Sequence, residues 1–283
     1  MKRCVYPLAI LSILLFACNL STTVTPPVVT AAPVASEIPT VLETLTVAET
    51  QTATESPISQ ANVNCHELAL FLDPALASGF NCQTVPELSG GGPAVNPEYT
   101  ELSLQGYTLS DRFFTPKIAV FSVQKYTGLV PDVVGPRVAV LQSLIGGGPV
   151  ADSELPLLPV FEAEQEFHAQ YQVIPFANGS GIRYLTEYAQ NYDPINNHDM
   201  IYTFQGLTSD GKYWVSAILP ISNPILPVDG TNPPNGQSWD DFGNNFAKYV
   251  ADITTQLNAQ APKNYSPTIT MLDALVTSIR IQP

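Results

Sequence analysis

Three histidines, one acidic turn and a group of tyrosines are the residues of this 283-residue chain whose types could do chemistry. His66, His168 and His198 lie far apart. None has a second histidine or a cysteine two to four positions away, so no local zinc site is encoded. No Gly-x-Ser-x-Gly surrounds any serine, and Gly179-Ser180-Gly181 reads as part of a turn. No residue is therefore assigned as catalytic, and neither a cofactor nor a metal ligand set is expected. Asp193-Pro194-Ile195-Asn196-Asn197-His198-Asp199 gathers the oxygen ligands that calcium takes, roughly six to eight at a time. It lacks the Asp-x-Asp-x-Asp-Gly order of a calcium loop. A turn whose Asn and Asp side chains bond to their own backbone accounts for it better. Asp229, Asp240 and Asp241 are read in the same way, as turn and cap residues.

Tyr184, Tyr188, Tyr192, Tyr202, Tyr213 and Trp214 gather around two hairpin signals. Sharing one exposed face, they would stack on sugar rings or grip a partner protein, because tyrosine and tryptophan suit wet interfaces. Arg183, Asn196, Asn197 and Gln205 would form the polar rim. The candidate binding residues are Arg183, Tyr184, Asn197 and Tyr202, and the candidate ligand is an envelope protein or glycan. The competing class is a hydrolase of envelope or extracellular polymers, with Asp193, Asp199 or Glu187 doing acid–base work. A pocket holding a perturbed carboxylate or histidine favours the enzyme, whereas an exposed aromatic patch favours a non-enzymatic binding module.

The N-terminus says where this chemistry would take place. Lys2 and Arg3 precede an apolar run from Val5 to Phe16, which is the length of a signal-peptide core and too short to span a bilayer. Leu15, Ala17 and Cys18 resemble a bacterial lipoprotein signal, with Phe16 as its one bulky departure. The resemblance implies that residues 1–17 are removed and that Cys18 is lipidated. It places the protein on the extracytoplasmic side of a bacterial membrane, in the cell envelope, held by acyl chains. Removing residues 1–17 takes two of the eleven basic residues and none of the twenty-five acids, leaving a net charge near −16. That charge argues against nucleic acid and against anionic headgroups as partners.

From residue 18 to residue 62 the chain holds ten threonines and five prolines but no aromatic residue. Such a segment cannot bury enough surface to offset chain entropy, and it is read as a disordered tether. Residues 63–283 form one globular domain. Cys65 and Cys82 are the remaining cysteines of an exported chain, and they read as one disulfide.

Within the domain, Cys65 to Ala77 is expected as a short helix carrying Leu68, Leu72 and Leu76, and Gly90 to Pro93 as a flexible joint. Strands are expected at Leu102 to Leu109 and Ile118 to Val123, and a helix from Pro136 to Ile145, ended by three glycines. Two hairpins follow: Glu166–Phe176 with Ile182–Tyr188 around Asn178-Gly179, then Met200–Leu207 with Lys212–Leu219 around Asp210-Gly211. The second hairpin is expected at the centre of the sheet. Ser238 caps one long helix through Leu257, Ser266-Pro267 opens a last helix, and Ser278 to Ile281 returns as an edge strand. The fold class is α+β, a mostly antiparallel sheet with helices packed on one face. Tyr202 to Leu219, the following helix and Leu272 to Ile279 resemble the ending of PsbP/Mog1-like domains, which implies an assembly or binding module. The folded part as a whole resembles exported lipoproteins of filamentous bacteria.

Overall fold

The computed structural model describes residues 61–90, 95–150 and 154–282. The signal segment, Cys18, nearly all of the tether, and Gly91 to Pro93 of the expected joint lie outside the described residues.

The chain opens with strands β1 (Val63–Cys65), β2 (Leu68–Leu70), β3 (Gly79–Val85), β4 (Tyr99–Gln105) and β5 (Lys117–Ser122). Helices α1 (Val123–Leu129) and α2 (Pro131–Ile145) follow. Next come β6 (Glu164–Gln165), β7 (Ala169–Phe176), β8 (Gly179–Thr186), β9 (Tyr188–Ala189), β10 (Ile201–Thr208) and β11 (Tyr213–Pro220). The C-terminal part holds α3 (Trp239–Asn244), α4 (Phe246–Ala259), α5 (Ile269–Thr277) and β12 (Arg280–Ile281).

Seven strands form one antiparallel sheet in the order β3-β4-β5-β11-β10-β8-β7. The β10–β11 hairpin lies at its centre, as expected. Gly211, at φ +70°, closes its turn, where the carboxylate of Asp210 accepts from Lys212 N and Thr208 Oγ1.

Helices cover both faces of this sheet, rather than the one face expected. Ile118, Val120, Leu185, Tyr202, Phe204, Val215 and Ala217 pack with Leu257 of α4 and with Ile269, Leu272, Leu275 and Val276 of α5. The alternate residues Ala119, Phe121, Ile182, Tyr184 and Trp214 pack with Val134, Leu141 and Leu144 of α2. This is why β5 and β10 bury residues on both faces and do not alternate apolar with polar.

Several local expectations are corrected. Cys65 to Ala77 is a tight β1–β2 hairpin and an irregular turn, not a helix. His66 takes a left-handed φ of 53° between the strands, so Cys65 opposes Leu68. Leu68, Leu72 and Leu76 are buried as expected, but by sheet packing. Cys65 and Cys82 form the disulfide, with Cα atoms 5.6 Å apart, and it staples this hairpin to the edge strand β3.

Helix α2 starts at Pro131, one turn or more before Pro136. Pro131 supplies the fixed φ of the first turn, and Pro136 lies inside the helix. The long C-terminal helix breaks at Asn245, where Gly243, Asn244 and Asn245 are weak helix formers. Ser238 caps the first piece by accepting from Asp241 N, and Thr268, not Ser266, caps α5. The returning strand β12 pairs with β2 in a small separate sheet.

The first hairpin turns at Ala177-Asn178, and Gly179 to Gly181 belong to β8. Its glycines are needed for close approach rather than for turning. A Cβ on Gly181 would stand 2.5 Å from the Phe204 ring and 2.6 Å from the Gly206 Cα. Asn178 instead ties down β12, donating to Ile281 O and accepting from Ile281 N.

The disulfide spans 17 residues of sequence, and loops of that length contribute about 3 kcal/mol in the chain-entropy description. Replacing Cys65 and Cys82 together with alanine is expected to lower the unfolding free energy by about that amount, read from guanidinium midpoints. An unchanged midpoint would mean that the packing of β1 and β2 already restrains the segment.

Candidate functional site

Three of the four residues expected at an exposed binding surface are buried. Tyr184 and Tyr202 are fully buried and Arg183 is nearly so. Their positions in the register send them to different layers. Tyr202 pairs with Leu185 and Phe204 with Arg183, so Arg183 and Tyr202 share the α5 face. There the Arg183 guanidinium pairs with Asp273 (Nε–Oδ1 3.2 Å) and donates to Gln172 Oε1 (2.7 Å) and to the Gln170 carbonyl. The Tyr202 hydroxyl donates to the same Asp273 carboxylate (2.9 Å). This network pins α5 to the sheet.

Tyr184 points into the opposite layer and donates to Pro156 O. Asn197 is half-buried and fastens the loop after β11, donating to Asn223 O and Leu226 O and accepting from Asn223 N. Gln205, expected at the rim, is fully buried between Trp214, Thr203 and Ser216. The hydrogen bonds of these residues hold the fold together.

The acidic turn does close on itself, as its Asn and Asp content suggests. Asn196 Oδ1 accepts from the backbone N–H groups of His198 (2.9 Å) and Asp199 (3.1 Å). Asn196 Nδ2 donates to Asp199 Oδ2 (2.9 Å), and His198 Nδ1 meets Asp199 Oδ1 at 2.6 Å. The turn also caps the carboxyl of Glu187, which is buried at the end of β8. Asn196 N donates to Glu187 Oε2 at 2.9 Å, and Asn196 Nδ2 lies 3.3 Å from Oε1. Burial pushes the Glu187 carboxyl up to about 9 against the pull of the Asn196 N–H, with Asp199, Glu166 and Asp193 adding repulsion. Among the described residues, no group of three or more His, Cys, Asp or Glu is arranged to hold a metal ion.

Just beyond Glu187 the chain forms the β6–β9 ribbon, with Glu164 opposite Ala189 and Gln165 opposite Tyr188. Glu166 N continues the pairing by donating to Glu187 O (3.0 Å). Beside the ribbon opens a cleft of about 840 Å³, lined by Glu162, Glu164, Glu166, Gln190, Asn191, Tyr192 and Phe246 among others. Tyr192 is 64 % exposed and rests on Phe246, with ring centroids 5.0 Å apart. Phe246 leans on the fully buried Phe242, so the exposed ring has a rigid base. Partial burial raises the Glu166 carboxyl to about 7, with Glu164 and Asp193 adding like-charge repulsion.

A second cleft, about 420 Å³, adjoins the ribbon and is lined by Phe113, Phe114, Phe161 and Tyr188. The two clefts share Glu162, Ala163, Ala189 and Gln190. Of the aromatic residues singled out from the sequence, Tyr192 is the one that reaches an exposed position in a cleft wall. Glu166, Phe246 and the three phenylalanines of the second cleft were missed. One signal was available, since Glu162-Ala-Glu164-Gln-Glu166 places three carboxylates at alternate positions of an extended segment. The carboxylates considered for hydrolysis fare differently. Glu187 lies beneath the site, Asp199 belongs to the turn, and Asp193 acts on Glu166 through charge.

The chain matches no protein-family model, no curated protein and no solved structure.

Between the ordinary value of 4.5 and about 9, the folded chain keeps the Glu187 proton that the unfolded chain has released. The folded state therefore binds more protons, and stability falls as pH rises through that window. Glu166 adds a change of the same sign, ending near 7. The melting temperature is expected to fall from about pH 5 to about pH 9, and Glu187→Gln to flatten most of that fall. A Glu187→Gln protein with an unchanged pH profile would contradict the assignment.

Proposed function

We propose that this protein is a lipid-anchored module of the bacterial cell envelope, and that it binds a glycan polymer in the cleft beside the β6–β9 ribbon. The observation that carries this reading is the Tyr192 ring, exposed on a packed aromatic base in the wall of a cleft that also holds carboxylates and amides. An aromatic face takes the C–H face of a sugar ring. Gln190 and Asn191 can both donate and accept, and the glutamates accept from hydroxyl pairs. The signal residues Leu15, Ala17 and Cys18 support the anchor, and the PsbP/Mog1-like ending supports a binding role.

Titration calorimetry with soluble chitin and cellulose oligosaccharides, together with sedimentation on insoluble peptidoglycan, tests the reading. Tyr192→Ala is expected to weaken binding on the order of tenfold or more without lowering the melting temperature. Absence of binding to every glycan, or full binding by Tyr192→Ala, would overturn it. For the anchor, Cys18→Ser is expected to abolish acyl labelling in cells and to release the protein from the membrane fraction. A variant that stays labelled would assign the lipid elsewhere.

A second reading, a hydrolase of the same polymers, is favoured by the Glu166 carboxyl in the cleft wall. Held near 7, it is poised to give and take a proton at neutral pH. Release of reducing ends that is lost in Glu166→Gln, while binding persists, would establish this reading over simple binding.

A further inference from the structure

We infer that the aromatic cleft on the far side of the ribbon is a second subsite of the glycan site, and that it takes the acyl group of an N-acylated amino sugar. The inference rests on the glycan reading above. It adds the substrate class, which the polar cleft alone does not select.

The two clefts are joined through the ribbon. Glu162, Ala163, Ala189 and Gln190 line both, and Gln190 Nε2 donates to Glu162 O across their common wall (2.6 Å). A ligand lying along Tyr192 and Glu166 therefore meets the second cleft when it extends across the ribbon. The two sides differ in chemistry. The first offers carboxylates and amides around one exposed ring. The second offers a continuous run of aromatic contacts: Phe113 against Phe114 at 5.0 Å, Phe114 against Phe161 at 5.2 Å, and Phe161 against Tyr188 at 5.1 Å.

Tyr188 is fixed at the base of this cleft, because its hydroxyl accepts from Gln165 Nε2 (2.9 Å). Phe113 stands at the rim, 67 % exposed, with the His198 ring beside it. A large exposed phenylalanine is costly to keep in water unless something covers it. The C–H face of any sugar ring can rest on these rings, and the methyl of an acetamido group adds apolar area that a hydroxyl at the same position does not. The amide of that group would lie at the Glu162–Gln190 wall, where polar partners exist. A polymer carrying acylated amino groups buries more apolar surface on the aromatic side of the ribbon than a plain hydroxylated polymer of the same length does.

The test compares two uncharged ligands of equal length, a hexamer of N-acetylglucosamine and a hexamer of glucose, by titration calorimetry on the folded, unacylated Cys18→Ser protein. The acetylated hexamer is expected to bind roughly tenfold more tightly, the usual worth of one well-covered methyl group. Phe113→Ala is expected to remove that preference, bringing the two hexamers to similar affinity. Because Phe113 is exposed, its replacement is expected to leave the melting curve unchanged, which is checked alongside.

Equal affinity for the two hexamers, or a preference that survives Phe113→Ala, overturns the subsite while leaving glycan binding intact. Loss of both hexamers in Tyr192→Ala but not in Phe113→Ala separates the two readings. If neither hexamer binds, both readings fail. Phe113-dependent sedimentation with phosphatidylglycerol vesicles, without a sugar preference, would assign the patch to a bilayer and also overturn the subsite.

Discussion

A strand covered on both faces must satisfy every polar group it carries within the protein. β10 is such a strand, with all eight residues buried, and it carries Tyr202, Thr203, Gln205 and Thr208. Each polar side chain fixes a neighbour. Tyr202 reaches Asp273 on α5, and Thr203 donates to Ala217 O on β11. Gln205 accepts from the Trp214 indole and from the backbone of Leu158. The α5 layer and the buried 155–158 segment are thus set in place by groups that would otherwise be unpaired. The same requirement governs Glu187 at the end of β8, where Asn196 folds the acidic turn back over a buried carboxyl and donates to both its oxygens.

That closure shapes the surface. With Asn196 holding the turn, the chain on either side of Glu187 is committed to the ribbon, and residues 162–166 and 189–192 become the walls of two clefts. Burial disfavours the ionised carboxylate and the nearby Glu164 and Asp193 add repulsion, which is why the Glu166 carboxyl is raised to about 7 in the cleft wall. Tyr192 is exposed for a related reason. Phe242 and Phe246 fill the space beneath it, leaving its ring no room inside.

Much of the fold was legible because it is local. The β10–β11 hairpin announced itself through Asp210-Gly211 between apolar runs, and Ser238 through its cap. The disulfide followed from the cysteine pair Cys65 and Cys82 in a chain read from its sequence as exported. What the sequence concealed depends on the third dimension. Leu68, Leu72 and Leu76 recur at helical spacing, yet the left-handed His66 turns Leu68 into the β1–β2 hairpin and Leu72 and Leu76 follow in an irregular turn. Helices on both faces bury the central strands, so Tyr184 lies under α2 and Arg183 and Tyr202 under α5 instead of on the expected surface. The site was half visible: Tyr192 stood among the tyrosines, but Phe113, Phe161 and Phe246 come from separate parts of the chain. Only packing brings them to the ribbon.

The most direct test of the account is hydrogen–deuterium exchange of the intact folded domain with and without an N-acetylglucosamine hexamer. Protection confined to residues 162–166 and 189–192, and lost in Tyr192→Ala, is the predicted result. Unchanged exchange in the ribbon at saturating ligand, or protection only at a distant surface such as α1 and α2, would contradict it.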